Sequence, residues 1–426
     1  MPLRLAAKDA GLAAFVALIL AIPLIGFTTS ETGSGTVVVT RFGWVAIAVA
    51  AVFLGRLAWT FVPWRARPSH VPRLVTHRKF DTKYLGWFGL AAAILWPFLP
   101  FASNYLTFLA TTVLIYIMLG WGLNVVVGLA GLLNLGYAAF YAVGAYTLAL
   151  AGQYWGIGFW EALPLCGVTA AIVGILLALP VLRLRGDYLA IVTLGFGEII
   201  RIVLINWQSF TGGPNGVNDL PLPTFFGMPF SARAPGGGKT FAQFFGLHFS
   251  PQANATERLI FIYYSILVIA LLTNLLVLRL RRLPIGRAWE ALREDEIASR
   301  ALGINPINVK LSAFAIGALL AGFAGAFFGA HQSFVSPESF NFQESATVLA
   351  IVVLGGMGSQ LGVVLAAIIL VTLPEFGREF AQFRMLLFGA SMVAIMVWRP
   401  RGLLALRTPS IRLPETPREP AREAVS

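Results

Sequence analysis

Cysteine is nearly missing from this sequence: Cys166 stands alone among 426 residues. One cysteine rules out an internal disulfide and a cysteine metal site, and its place in an apolar run marks it as a packed side chain. Histidine is almost as rare, and the four present are scattered without metal-ligand spacing. Charge is scarce too. Asp, Glu, Lys and Arg make up 12% of the chain, against roughly a quarter in soluble domains. No paired acid and base and no Ser-His-Asp arrangement stands out, so the sequence does not read as an enzyme. A nucleotide site is also missing. Gly236 to Thr240 ends like a phosphate-binding loop, but the glycine needed five residues before Gly238 is Arg233, and no apolar strand precedes it. ATP hydrolysis by the usual device is excluded, and no cofactor is expected.

What the chain has instead is apolar length. Hydrophobic residues make up 58% of it, with 33 Phe and 11 Trp, and the mean hydropathy is +0.78. Runs of about twenty apolar residues recur, such as Leu259 to Leu278, and a helix of that length crosses a hydrocarbon core of ~30 Å. The run from Gly11 follows Arg4 and Lys8 as a signal peptide would. It lacks a convincing small-residue cleavage site, so we read it as a retained helix.

The net charge of +12 would suggest nucleic acid in a soluble protein. Here the basic residues fall in short loops between apolar runs, which is how membrane orientation is set, and no nucleic-acid partner is expected. Placing the basic loops in the cytosol threads the chain consistently. Spans at 11–28 and 43–63 form a hairpin that returns to a basic loop, Trp64 to Lys83. Spans near 85–103, 105–128, 132–152 and 160–182 lead to Arg183 and Arg185. A span at 188–206 exits to a polar segment, 207–257, and 259–278 returns. After 310–330 crosses outward, the basic tail demands an odd number of further crossings. Dividing 345–374 at Gly355–Gly358 gives two short passes, and 383–398 completes the count. The expected fold class is an all-α polytopic membrane protein of about twelve transmembrane helices, with both termini cytosolic.

Helix 310–330 carries two stripes of small residues, Gly317, Ala321, Gly325, Gly329 and Ala318, Gly322, Ala326, Ala330. Small residues at that spacing let helix backbones approach closely in lipid. Ionisable residues inside spans are costly and become functional candidates. Glu198 and Arg201, three apart, share a helix face. They form either a self-neutralised structural pair facing the bundle or the lining of a hydrated path for a zwitterion. Asn124, Asn134, Thr193 and Glu344 are weaker candidates for the same path.

The densest charge lies where no membrane span can be. Residues 286–305 hold Arg287, Glu290, Arg293, Glu294, Asp295, Glu296 and Arg300 within a loop at 279–309. Read as a helix, the stretch sets Trp289, Leu292, Ile297, Ala301 and Leu302 among those charges, and Gly303 with Asn305-Pro306 stops it. A solvated surface helix and a docking helix for a cytosolic partner both fit. The second explains better why a membrane protein without a nucleotide site keeps such an element, with Trp289, Leu292 and Ile297 as its apolar contacts.

Six segments in order carry a resemblance: 122–146, 182–202, 211–217, 286–304, 334–340 and 350–359. Together they resemble the LivM-type permease subunit of bacterial branched-chain amino acid ABC importers, from about residue 85 to 405. The resemblance implies an inner-membrane permease for leucine, isoleucine and valine. It implies four kinds of company: a LivH-type partner permease, two cytosolic ATPase subunits, a periplasmic binding protein and membrane lipid. Related permeases carry other amino acids or urea-like solutes, which is the alternative. It further implies a division into a hairpin and basic loop (1–84), a permease core (85–405) and a basic tail (406–426). Residues 286–303 become the ATPase-coupling segment, with Trp289, Glu290, Leu292, Arg293, Glu294, Asp295, Glu296, Ile297, Arg300 and Gly303 as candidates. The Glu-Ala-Ala-x-x-x-Gly pattern of many importer permeases is met only loosely, by Glu296-Ile297-Ala298 with Gly303. A secondary transporter, the rival class, would need coupling-ion residues at the midplane and repeated halves, and neither is evident.

Overall fold

The computed structural model describes residues 82–376 with short gaps and a longer one before 251, together with 27–40, 402–404 and a few isolated positions. The chain divides into two units, Met1–Thr82 and Lys83–Ser426. In the first, β1 (Phe27–Thr32) pairs antiparallel with β2 (Gly35–Thr40), Phe27 opposite Thr40 and Thr32 opposite Gly35. Both strands are rich in β-branched Thr and Val, which suit an extended backbone. Phe27 and Thr28, expected at the end of the first span, lie in β1 instead. The rest of that span, most of 43–63 and the span at 383–398 lie outside the described residues.

The second unit is mostly helical. It begins with α1 (Thr82–Leu95) and α2 (Asn104–Leu123), which widens into a π-helical turn at Asn124–Leu129. Then come α3 (Tyr137–Trp155), α4 (Phe159–Val181) and α5 (Asp187–Asn206). A short strand β3 (Val217–Asn218) precedes the long α6 (Pro251–Arg282), and two small helices follow, α7 (Pro284–Glu294) and α8 (Glu296–Ala301). The unit continues with α9 (Pro306–Gln332), β4 (Phe334–Val335), α10 (Phe342–Gly355) and α11 (Gln360–Phe376). The strand pairs β1–β2 and β3–β4 qualify the all-α expectation. They occur where segments between helices must satisfy their own backbone groups.

Side chains close several helix ends. Ser103 accepts from Leu106 N at the start of α2 (3.2 Å), and Asn305 accepts from Ile307 N (3.0 Å) ahead of Pro306 in α9. Among the described residues, five helices are long and apolar enough to cross a membrane: Asn104–Leu129, Phe159–Val181, Asp187–Asn206, Ala255–Arg282 and Pro306–Gln332. Helices α10 and α11, with 14 and 17 residues, reach only about 21 and 26 Å at ~1.5 Å per residue. They are two helices and not one, because Gly356 (φ 103°) and Gly358 (φ 86°) reverse the chain between them. They then pack so closely that a Cβ on Gly355 would lie 2.6 Å from the carbonyl carbon of Gly362.

At the centre stands α9. A Cβ on Gly325 would meet Ala145 N of α3 at 2.7 Å, and one on Gly317 would meet Val126 after α2 at 2.5 Å. The second stripe faces α4, where a Cβ on Gly322 would come within 2.7 Å of Ala170 and one on Gly174 within 2.6 Å of Ala318. The first stripe thus closes on α3 and the end of α2, and the second on α4, with Gly322 also meeting Gly144 of α3. Backbone contact of this kind supplies the van der Waals attraction that holds helices together without a hydrophobic driving force.

The bundle has two distinct ends. Arg281 and Arg293 reach Gly358 and Gly128, which places α7, the π-turn and the α10–α11 turn at one end, the charged end. At the opposite end β3 pairs with β4, and Trp160 Nε1 donates to Thr224 O (2.7 Å).

Candidate coupling segment and membrane-embedded breaks

The charged segment folds as an elbow, with α7 turned inward and α8 turned outward. Trp289 is fully buried, its Nε1 donating to Ser312 Oγ of α9 at 3.0 Å, and Leu292 is buried beside it. These two side chains fasten the elbow to the bundle, so they are not the apolar contacts offered to a partner that their spacing suggests. An apolar stripe at helical spacing says that something covers it, and here the bundle does. Two of the polar groups of α7 are spent in the same way. Glu290 Oε1 accepts from Arg281 Nε (2.7 Å), and Arg293 Nη1 donates to Gly128 O.

Helix α8 presents the other face. Asp295 caps it, accepting from Ile297 N (2.8 Å) and Ala298 N (3.0 Å). Glu296 ties it down through Arg300 (2.7 Å) and through Lys310 of α9 (3.4 Å). Beyond those ties Ile297 is 71% exposed and Leu302 81%, with Glu294 and Arg300 exposed around them and Gly303 (φ 84°) ending the turn. Two large apolar side chains held in the open by a rigid, charged cap are the chemistry of a protein-docking patch.

Two of the expected path residues sit at breaks in the backbone, and a third, Thr193 of α5, bonds one of those breaks. Asn124 opens the π-turn and is fully buried; its Oδ1 accepts from Gly358 N (2.8 Å). Asn134 lies in the non-helical stretch before α3, and its Oδ1 accepts from Gly136 N (2.9 Å). Thr193 of α5 accepts from Leu135 N (3.1 Å) and donates to Ala190 O (2.9 Å). Thr193 and Asn134 thus satisfy adjacent amides of one interrupted strand of chain, while Asn124 serves a different break. Ser345 joins the first group by accepting from Ala138 N (2.9 Å), and no sequence pattern pointed to it. The amide nitrogens of both asparagines are buried without a partner.

The remaining candidates lie toward the opposite end. Glu198 takes two bonds from Arg201, from Nε (2.9 Å) and from Nη2 (2.5 Å). A third member comes from the turn before α10: Glu338 reaches Arg201 Nη1 at 3.4 Å. The expected pair is therefore a triad with one excess negative charge. It is also open, since the Glu198 side chain is 41% exposed and Glu338 69%. Helix α5, which carries it, is the least enclosed span, only 22% of its most apolar stretch being buried. Glu344 is separate from this group, accepting from Tyr116 Oη at 2.6 Å. At the same end a hollow of about 390 Å³ is lined by Gly152, Tyr154, Gln208, Ser209, Asn218 and Asp219.

Comparison with known proteins places this arrangement. The family described as branched-chain amino acid transport system, permease component, matches residues 105–396, and a domain of unknown function matches 6–96. The high-affinity branched-chain amino acid transport system permease protein LivM of Escherichia coli is 50% identical, covering 94% of this chain and 95% of its own length. LivM of Salmonella typhimurium is 51% identical over 88% of each chain. The permease protein BraD of Pseudomonas aeruginosa is 24% identical over 68% of this chain and 91% of its own length. No solved structure matches. With its apolar spans, central small-residue helix and charged elbow, the chain belongs to the branched-chain amino acid transport permease family.

Proposed function

We propose that this chain is the membrane-spanning permease subunit of an ABC importer that carries leucine, isoleucine and valine across the bacterial inner membrane. The observation that carries the reading is half-identity to the enterobacterial LivM permeases along nearly the whole of both chains. In this reading a LivH-type permease completes the path, two ATPase subunits supply the energy and a periplasmic binding protein delivers the solute. Both termini and the charged end lie in the cytosol, and about twelve helices cross the membrane: a hairpin with its basic loop in 1–84 and ten in the core of 85–405, with 406–426 as a basic tail. The exposed triad beside α5, the breaks at Asn124 and Asn134, and Thr193 against the second break border the solute path, with Glu344 near its outer end. A side chain such as Glu198, charged and open on a spanning helix, is costly against lipid, which favours a protein or water-filled neighbour for α5.

Docking of the ATPases falls to α8. Replacing Ile297 and Leu302 by Asp removes the exposed apolar patch without touching the Trp289 anchor or the Asp295 cap. ATPase subunits should then be lost when the permease is affinity-purified, and uptake should fall at least tenfold. The decisive experiment reconstitutes the chain with its co-encoded subunits in vesicles and measures labelled leucine. Uptake that needs both ATP and the binding protein is expected; uptake driven by an ion gradient alone would overturn the assignment.

A further inference from the structure

Between the docking patch and the membrane-embedded breaks lies one knot of hydrogen bonds, and nothing in the family's description assigns it a role. Gly128 closes the π-turn and Gly358 closes the α10–α11 turn, and the two meet so tightly that a Cβ on Gly128 would stand 2.6 Å from Gly358 N. Asn124 Oδ1 holds that same Gly358 N at 2.8 Å. Both glycine carbonyls are then gripped by arginines: Gly128 O by Arg293 Nη1 of the elbow, and Gly358 O by Arg281 Nη1 from the end of α6 (3.4 Å). Glu290 of α7 fixes the Arg281 guanidinium at 2.7 Å. The Arg293 stem leaves no room at Gly131 (φ 72°), where a Cβ would meet its Cγ at 2.8 Å.

We infer that Arg293 and Arg281 are positioning residues that deliver the motion of the coupling elbow to the two backbone breaks. The geometry gives α7 a pivot and a working end. Trp289 is clamped to α9, α8 projects on the far side, and Arg293 lies one turn beyond the pivot, against Gly128. Rocking α8 about Trp289 pulls on the Gly128 carbonyl, and through Asn124 and Arg281 the Gly358 turn moves with it. A π-turn suits this, because it is an interruption with more than one hydrogen-bonding pattern within reach and recurs at functional sites. Coupling of this kind needs an element with two discrete arrangements that both ends bias. Arginine is required because its planar fork reaches a carbonyl in a fixed direction, which the single ammonium of lysine does not reproduce.

The inference rests on the importer reading, and the experiment separates the two. The full complex is purified and placed in vesicles with its binding protein, and leucine transported per ATP hydrolysed is compared for wild type, Arg293→Lys and Arg281→Lys. Failure of the wild-type complex to take up leucine would remove the importer reading. With a working wild type, both variants should retain their ATPase subunits and at least half of their hydrolysis, while leucine moved per ATP drops about tenfold or more. Amides 124–129 should exchange hydrogen faster in Arg293→Lys, with α3, α4 and α9 unchanged. A ratio within twofold of wild type in both variants would overturn the inference. So would loss of the ATPase subunits themselves, which would make these arginines docking residues.

Discussion

Arg201 holds two carboxylates from elements more than a hundred residues apart, and this asymmetry predicts how its replacements behave. Glu198→Gln leaves Arg201 with Glu338, and only a modest loss is expected. Arg201→Met leaves two carboxylates facing each other at the edge of a spanning helix. Two like charges left side by side without a cation repel each other, so accumulation should fall. Combining Glu198→Gln with Arg201→Met should recover most of the accumulated protein, read by immunoblot of membranes. If the double variant inserts normally yet no uptake returns, the triad serves the solute and not merely the fold. The Glu198–Arg201 spacing was visible in the sequence, since residues three apart on a helix must be neighbours. Glu338 was not. Its pairing depends on how the turn before α10 lies against α5, and nothing local to either segment records that.

At the level of elements, length and glycine placement proved informative and facing direction did not. Apolar runs of about twenty residues marked the long helices, and Gly355–Gly358 marked the reversal between α10 and α11 because φ values near +90° all but require glycine. The stripes on α9 were equally legible as packing surfaces, although their assignment to α3 and to α4 needed the folded chain. Trp289 and Leu292 show the limit: a periodicity of 3.6 reveals that a helix has a covered face and not what covers it. Trp289→Ala should therefore act on stability. Loss of a buried Trp costs on the order of 3–5 kcal/mol, so the apparent melting temperature of the detergent-solubilised permease should drop, while the proposed docking through α8 should survive below it. Gly322→Leu should be worse, because its Cβ alone would stand 2.7 Å from that of Ala170 and α9 would have to leave α4. Poor accumulation is expected there, and a normal yield of monodisperse protein would refute the close seam.

For the whole molecule, the order of the chain matters as much as its final packing. The helix at the centre of the bundle, α9, begins only at Pro306, after α2 to α6 have been made. Until it arrives, the glycine faces of α3 and α4 have no backbone to close on. Ribosome and insertion machinery must therefore hold a half-built permease with an open seam, and α9 acts as a keystone set into an arch already standing. A chain cut after Asn305 would expose that seam to lipid and to membrane quality control. Pulse-chase labelling should show it decaying several times faster than the full-length protein, and co-expressing residues 306–426 as a separate fragment should slow that decay. On this view, the small residues of α9 let a helix that emerges late slide home among neighbours that are already in place.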